Sequence, residues 1–303
     1  HSTYNYLMNF TFLRTTLLIF FLLASFLATQ YSSWLDYYDD NLHVYFLDVG
    51  QGDSILIKTP DRKFILVDGG PGEITAFRVS EILPIWISEI DLAIVTHSHA
   101  DHLGGFIPIL EHYDINCLVY RVDDKEISKT EEHFRKMLDD LNIKRTFQKD
   151  IPVDCFDSVI NIQNFYLLEG QLLRSSKSGH RSFNENLESI ITTISYGDFD
   201  VILTGDAETP VLQSFLGAAP KKDLDIEVIK VPHHGAIDSF YPSLIHLLKP
   251  ELAVISAGAK NRYGHPHTKV LTGYKNMGVE VLQTLTDGTV EIFSNGKDWH
   301  VVR

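Results

Sequence analysis

From residue 43 onward the chain alternates short apolar runs with turn residues. "HVYFLDVG" (43–50), "SILIKTP" (54–60) and "KFILVDGG" (63–70) each suit one strand, and Pro60-Asp61 marks a turn between the last two. "DLAIVTH" (91–97) reads as a buried strand, "LGGFIPILEHY" (103–113) opens a helix, and "SKTEEHFRKMLDDLN" (128–142) is a polar amphipathic helix. Further strands are expected in "NIQNFYLLEG" (161–170), "ESIITTISYGDFDVILTGD" (188–206, with a hairpin turn at "YGDFD"), "IEVIKVPHHG" (226–235) and "ELAVISAG" (251–258). "ETPVLQSFLGA" (208–218) and "TKVLTGYKNMG" (268–278) read as helices, and "VEVLQTLTDGTVEIF" (279–293) as a hairpin. Strands that occur both in hairpins and between helices imply mixed sheets with helices on the outer faces, an α+β architecture. No Pro-, Gly- or Ser-rich linker divides this region, so one domain is expected over residues 41–303. Its most loop-like segment is 170–186, with a local basic patch at Arg174, Lys177 and Arg181.

The first 40 residues differ in kind. "TTLLIFFLLASFLAT" (15–29) carries no charge, follows Arg14 and precedes the acidic "LDYYDD" (35–40). Its uncharged, mostly apolar core, Leu17 to Ala28, has the length of a signal-peptide core, while a bilayer span takes about 20 residues. Phe26, two positions before a cut after Ala28, makes a poor cleavage site, so an uncleaved membrane anchor is the alternative. Met8 offers another start. Arg14 before the run and acid after it predict that the remainder lies outside the cytoplasm, secreted or membrane-anchored.

With 26 basic and 40 acidic residues the net charge is −14. That argues against a sequence-independent grip on nucleic acid, which needs a basic face. It does not exclude phosphate chemistry at a metal site, where cations supply positive charge locally. Cys117 and Cys155 are too few for a thiolate metal cage; two buried thiols are expected, with a single bridge as the alternative.

The chemistry concentrates in "VTHSHADHLGG" (95–105), where His97, His99, Asp101 and His102 fall within six positions directly after a buried strand. In an extended strand end His97 and His99 share a face, while Asp101 and His102 follow in the turn. The spacing suits two adjacent ions, an imidazole pair for one and a carboxylate with an imidazole for the other. Such ligands favour Zn²⁺, with Mn²⁺ or Fe²⁺ as alternatives. Gly104-Gly105 would let the backbone turn tightly beside them.

H-x-H-x-D-H after a hydrophobic strand resembles the signature of the metallo-β-lactamase superfamily. More specifically, the chain resembles the hydrolase domain of the ComEC family of competence DNA-uptake proteins and its free-standing relatives. The matching segments are "FLDVGQGDSILI" (46–57), "ILVDGG" (65–70), "THSHADHLGG" (96–105), "ILTGDAE" (202–208), "VPHHG" (231–235), "VISAGAKNRYGHPH" (254–267) and "TDGTVEI" (286–292). The resemblance implies a four-layer αββα sandwich with the metals at one edge. It assigns His97 and His99 to a first metal, Asp101 and His102 to a second, and Asp206 to a bridge between them. His234 completes the second metal, with His233 toward substrate or behind the ligands; the two could be exchanged. Where the superfamily has a third histidine on the first metal, this chain offers His180, Asn186 or water, so one or two ions are implied. Asp68 is expected to orient a ligand histidine, and Asp48 and Asp53 to lie near the site. Arg262 and His265 would face a phosphate, His265 as general acid, while His267 suits a helix cap.

The reaction implied is hydrolysis of a phosphodiester, DNA included, by a metal-bound hydroxide. One apolar segment cannot build the many-helix channel that surrounds this domain in ComEC, so the phosphodiesterase reading is firmer than a part in uptake. Two other readings remain: hydrolysis of another ester or amide (phosphocholine ester, thioester, lactone or lactam), or a metal-bound accessory protein without catalysis. No protein partner can be inferred.

Overall fold

A computed structural model of the protein describes residues 2–121, 127–147, 151–166, 185–218 and 225–302. Contacts divide the chain into two units, residues 1–39 with 80–87 and residues 40–79 with 88–303.

The first unit is built on helix α1 (Ser2–Tyr38). Its stretch Leu13–Ser32 is long and apolar enough to cross a membrane, and none of it is buried in protein. Twenty residues at about 1.5 Å each span about 30 Å, the thickness of a bilayer's hydrocarbon core. Beyond that stretch, Trp34 lies against Tyr31 and Tyr38, with ring centroids 6.1 and 4.9 Å apart.

The second unit holds two large sheets. Strands β1 (Leu42–Phe46), β2 (Ile55–Lys58) and β3 (Phe64–Val67) precede α2 (Glu73–Ile82). The short β4 (Glu89–Ile90) and β5 (Leu92–Ile94) lead to α3 (Ala100–Leu103) and α4 (Phe106–His112). Then come β6 (Asp114–Ile115), β7 (Cys117–Val119), α5 (Lys129–Asp140), β8 (Lys144–Thr146) and β9 (Asn161–Phe165). The second half runs β10 (Ile191–Tyr196), β11 (Phe199–Leu203), α6 (Thr209–Ala218), β12 (Val228–Lys230), α7 (Pro242–Leu248) and β13 (Leu252–Ile255). It closes with α8 (Thr268–Asn276), β14 (Glu280–Gln283), α9 (Thr284–Asp287), β15 (Val290–Ser294) and β16 (Trp299–Val302).

One sheet has the order β16-β15-β1-β2-β3-β5-β7-β8, the other β14-β13-β12-β11-β10-β9. In the first, β3, β5, β7 and β8 are parallel and the remaining pairs antiparallel. In the second, β11 to β14 are parallel and β9 to β11 antiparallel. Among the parallel strands, β3, β5, β7 and β13 are continuous apolar runs, as burial on both faces demands. Phe46, Ile57, Ile94, Ile194, Val201 and Val254 belong to the core between the sheets. Outside the second sheet, Val211, Leu212, Leu244, Leu248, Val270 and Tyr274 bring α6, α7 and α8 onto Ile202, Ile229 and Ala253. Phe106 of α4 and Phe134 of α5 are buried against each other, ring centroids 5.9 Å apart. This is the expected four-layer αββα sandwich with mixed sheets.

Three expectations change. Residues 279–293 do not form a hairpin: β14 pairs parallel with β13 in one sheet, and β15 pairs with β1 in the other. The "TDG" turn carries the chain between layers through α9 and Gly288 (φ 73°). Cys117 and Cys155 are bonded to each other, Cα to Cα 5.5 Å apart, where buried thiols were expected. The helix after His99 begins earlier than Leu103, so Asp101 and His102 lie in α3 itself.

Candidate metal centre

Five parallel strands end where the polar residues gather. Asp68 follows β3, His97 and His99 follow β5, Asp206 follows β11, His233 and His234 follow β12, and Ser256 follows β13. The carboxyl ends of parallel strands leave loops free to carry ligands on a rigid base. Asp68, His233 and His234 have φ of 59°, 49° and 53°, the left-handed region that side chains avoid. Strain of about 1–3 kcal/mol at each such residue is typical of sites whose geometry the surroundings impose.

Two glycines make the approach possible. At Gly52 (φ 132°) a Cβ would collide with the carbonyl of Asp101, whose oxygen accepts the Asp53 N–H at 3.3 Å. Gly105 is helical in backbone (φ −75°). Its requirement is closeness: a Cβ there would overlap the carbonyl of Gly69, so the Asp68-Gly69-Gly70 turn can seat directly on the start of α4.

His102 is wholly buried; its Nδ1 meets Asp68 Oδ2 at 2.8 Å and its Nε2 faces Asp206 Oδ1 at 3.3 Å. Asp68 in turn accepts from the Thr96 amide and hydroxyl, which orients it. His234 Nδ1 donates to the Ser256 carbonyl at 2.9 Å, leaving Nε2 at 3.5 Å from Asp206 Oδ1 and 3.6 Å from Asp101 Oδ2. Asp206 Oδ2 faces His97 Nε2 at 3.8 Å, and His97 Nε2 lies 3.0 Å from His99 Nδ1. The two oxygens of Asp206 thus look into two groups, His97/His99 on one side and Asp101/His102/His234 on the other.

The donor set fits a divalent cation. His102 Nε2, His234 Nε2 and Asp206 Oδ1 are buried and have no hydrogen-bond partner among the described residues. Ligand atoms about 2.0–2.2 Å from a tetrahedral ion lie about 3.3–3.6 Å apart, the spacing of these three around Asp206. An ion among them would satisfy all three, and the Nδ1 bonds to Asp68 and Ser256 present each Nε2 lone pair to it.

Electrostatics point the same way. Four carboxylates, those of Asp53, Asp68, Asp101 and Asp206, crowd this volume with one fixed cation among the described residues, Lys230. Burial disfavours the His234 imidazolium, but Asp206 and Asp53 outweigh it and raise its pKa to about 9. His102 is likewise raised despite burial, by Asp206 and Asp68. Asp101 and Asp206 are lowered despite burial by the histidines around them. His97 is lowered, first by burial and then by His102. The site is a sink for positive charge, which protons or a divalent ion can fill.

Gln51, His99, Asp101, Asp206, His233, His234, Tyr263 and His265 line a cavity of about 280 Å³ over this cluster. His233 stands between Asp206 Oδ2 and Asp238 Oδ1, 3.6 Å from each. His265 is lowered by burial and by His233 and His234, so less of it carries a proton near neutral pH. Arg262 does not line the cavity; its guanidinium lies over Tyr263 and donates to the phenol at 3.0 Å. Asp48 pairs with Arg78 at 3.7 Å rather than joining the cluster, whereas Asp53 sits wholly buried inside it. Asn186 is buried and donates to Glu208. His180 and the basic patch at 174–181 lie outside the described residues. His267 caps α8, accepting from the Lys269 amide.

Two residues here escape a reading by motif. Glu185 comes within 3.5 Å of His99 Nε2, the ring edge opposite His97. Lys230 is fully buried; its ammonium pairs with Asp53, donates to the Gly205 carbonyl at 2.8 Å and lies 3.8 Å from Asp206. The one signal in sequence is a lone Lys in the buried run "VIKV", four residues before His234.

Comparison with known proteins agrees with this geometry. The chain is 28% identical over 264 residues to ComE operon protein 3 of Bacillus subtilis, covering 81% of this chain and 32% of the relative. It is 27% identical over 249 residues to Recombination protein 2 of Haemophilus influenzae, covering 81% and 28%. It therefore spans about a third of the length of these relatives. The crystal structure of Tm1679, described as a metal-dependent hydrolase of the beta-lactamase superfamily, aligns with a TM-score of 0.51 at 12% identity, over 80% of this chain and 95% of that one. The sequence profile of the metallo-beta-lactamase superfamily matches residues 47–259, well over half the chain and every strand end that bears the site, and the protein belongs to that superfamily.

Proposed function

We propose that the protein is a metal-dependent phosphodiesterase, anchored by α1 and working on the non-cytoplasmic side of a membrane. One or two divalent ions, zinc first, would be held by His97, His99, Asp101, His102, Asp206 and His234. The observation that carries this is the convergence of three orphaned buried atoms, His102 Nε2, His234 Nε2 and Asp206 Oδ1. A divalent cation bound there supplies a more acidic water and compensates charge on a pentavalent phosphorus.

The chain's own residues do the rest. Asp68 and the Ser256 carbonyl set the tautomers of His102 and His234. Lys230 holds the Gly205 carbonyl, and so the turn that presents Asp206. His233 and His265 line the cavity, where imidazole nitrogens suit hydrogen bonding to phosphate oxygens and proton transfer. About 280 Å³ admits a diester linkage with its nearest substituents. The name of one relative, Recombination protein 2, makes a nucleic-acid diester the first natural substrate to try. The −14 charge favours short or single-stranded diesters over a gripped duplex. The Cys117–Cys155 bond supports an oxidising compartment.

The test is turnover of bis(p-nitrophenyl) phosphate by the full chain loaded with Zn²⁺ or Mn²⁺, against nitrocefin. Diester cleavage that disappears in Asp101→Ala and His234→Ala is expected. Preference for nitrocefin would move the reading to lactam hydrolysis, and a loaded protein inert to both would favour an accessory role.

A further inference from the structure

We propose that the turn Pro84–Ile87 is a membrane-inserting foot, seated in the interfacial layer of the bilayer that receives α1. The inference rests on the anchor reading above and adds a second point of attachment to it.

The Ile87 N–H donates to the Pro84 carbonyl at 2.9 Å, which closes a four-residue turn. Its two corner positions are Ile85 and Trp86. Corners of surface turns normally carry Gly, Asn, Asp or Ser, which suit both the backbone and water. Here they carry two large apolar side chains, 71% and 46% exposed. Such residues side by side at the tip of a turn mark a surface meant to be covered.

The neighbourhood says by what. Residues 80–87 cluster with α1 as one unit. In that unit the Trp86 ring stands edge-on to Tyr37 at 6.3 Å. Tyr37 lies just past the apolar stretch Leu13–Ser32, among Tyr31, Trp34 and Tyr38. Tyr and Trp collect at the water boundary of a membrane because their rings are apolar and their tips polar. Trp86 thus joins an aromatic group already at the expected boundary, with Ile85 beside it. "ILPIWI" (82–87) carries no charge, and the only charged residue in 80–87 is Glu81, so attraction to anionic headgroups plays no part. The fit is to the acyl–headgroup boundary of a zwitterionic bilayer. Because the segment continues at both ends into the second unit, its insertion would tie that unit to the membrane independently of α1.

The chain has three tryptophans, Trp34, Trp86 and Trp299, so paired Trp→Phe substitutions leave each as a lone reporter in the full chain. Each variant is reconstituted into phosphatidylcholine vesicles with and without lipid brominated near the headgroup end of its acyl chains, and titrated with aqueous iodide. Trp86 emission should fall about two-fold or more in brominated vesicles, alongside Trp34 and unlike Trp299, and iodide should quench Trp86 weakly. High salt should leave the pattern unchanged. Quenching of Trp34 without quenching of Trp86 overturns the foot and leaves the anchor standing: open access to iodide would mean the turn faces water, and shielding from both quenchers would mean protein covers it. Absence of quenching at Trp34 overturns the anchor and the foot together.

Discussion

Replacing Lys230 by Met tests the electrostatic account of the site most directly. The methionine keeps the length and apolar stem and removes the charge together with the hydrogen bond to the Gly205 carbonyl. The ammonium pairs with Asp53, which is held at about 2 although burial alone would raise it, by Lys230 first and then His234. At 3.8 Å its attraction to Asp206 amounts to about 4 kcal/mol at an effective dielectric of about 20. Desolvation already paid by the ammonium offsets much of that, so the larger effect is the carboxylate left behind. Stranding one partner of a buried pair costs about 3–5 kcal/mol. Urea unfolding of the metal-stripped full chain in detergent, read through Trp299 in a Trp34→Phe, Trp86→Phe background, should register this loss at pH 7. Trp299 reports the sandwich because it packs on Phe199 of the opposite sheet, ring centroids 5.9 Å apart. The sign with pH is fixed. Without Lys230, burial raises the Asp53 pKa against His234 and His102 alone, so its folded pKa lies above the parent's. The penalty, absent at strongly acid pH, therefore grows as pH rises toward that higher value. Adding Asp53→Asn should restore more than half of the lost stability. A loss within about 1 kcal/mol at pH 7, or no rescue by Asp53→Asn, would refute the account.

Three further outcomes are expected. Because His234 is raised to about 9, its contribution to the stability of metal-free protein is complete below 6.5 and disappears as pH rises toward 9, where metal uptake needs no proton to be expelled. Calorimetry in buffers of different ionisation enthalpy should therefore show about two protons released per ion bound near neutral pH, from His102 and His234; none released would contradict the assignment. Asp68→Asn should weaken metal binding about 10–100-fold in a chelator competition while the fold persists, and unchanged affinity would remove its orienting role. Cys117→Ala with Cys155→Ala should cost about 4 kcal/mol on the loop-entropy model for a separation of 38 residues, measured by urea unfolding, with metal content unaltered.

Much of this protein is legible from local pattern. Apolar runs bounded by turn residues place β1, β2, β3, β5, β12 and β13, because strands buried on both faces must be apolar along their length. Four of the six proposed ligands lie within six consecutive residues, so their proximity needs no folding argument beyond one strand end and one helical turn. Asp206 and His234 stand at the ends of strands that the same pattern identifies. What pattern could not supply are relations between segments far apart. Residues 279–293 look like a hairpin because "TDG" signals reversal, yet whether the chain turns back or crosses to another sheet depends on which strand edge is open. That edge is β13 for β14 and β1 for β15. The Cys117–Cys155 bond, the approach of Gly105 to Gly69 and the pairing of Lys230 with Asp53 are likewise products of packing. By itself, then, the amino-acid order determined the layers and the ligand types, since both follow from periodicity and short spacing. The tertiary structure alone decided which oxygen of Asp206 faces which histidines and which cation balances the buried carboxylates, because charges out of water interact through distance in space.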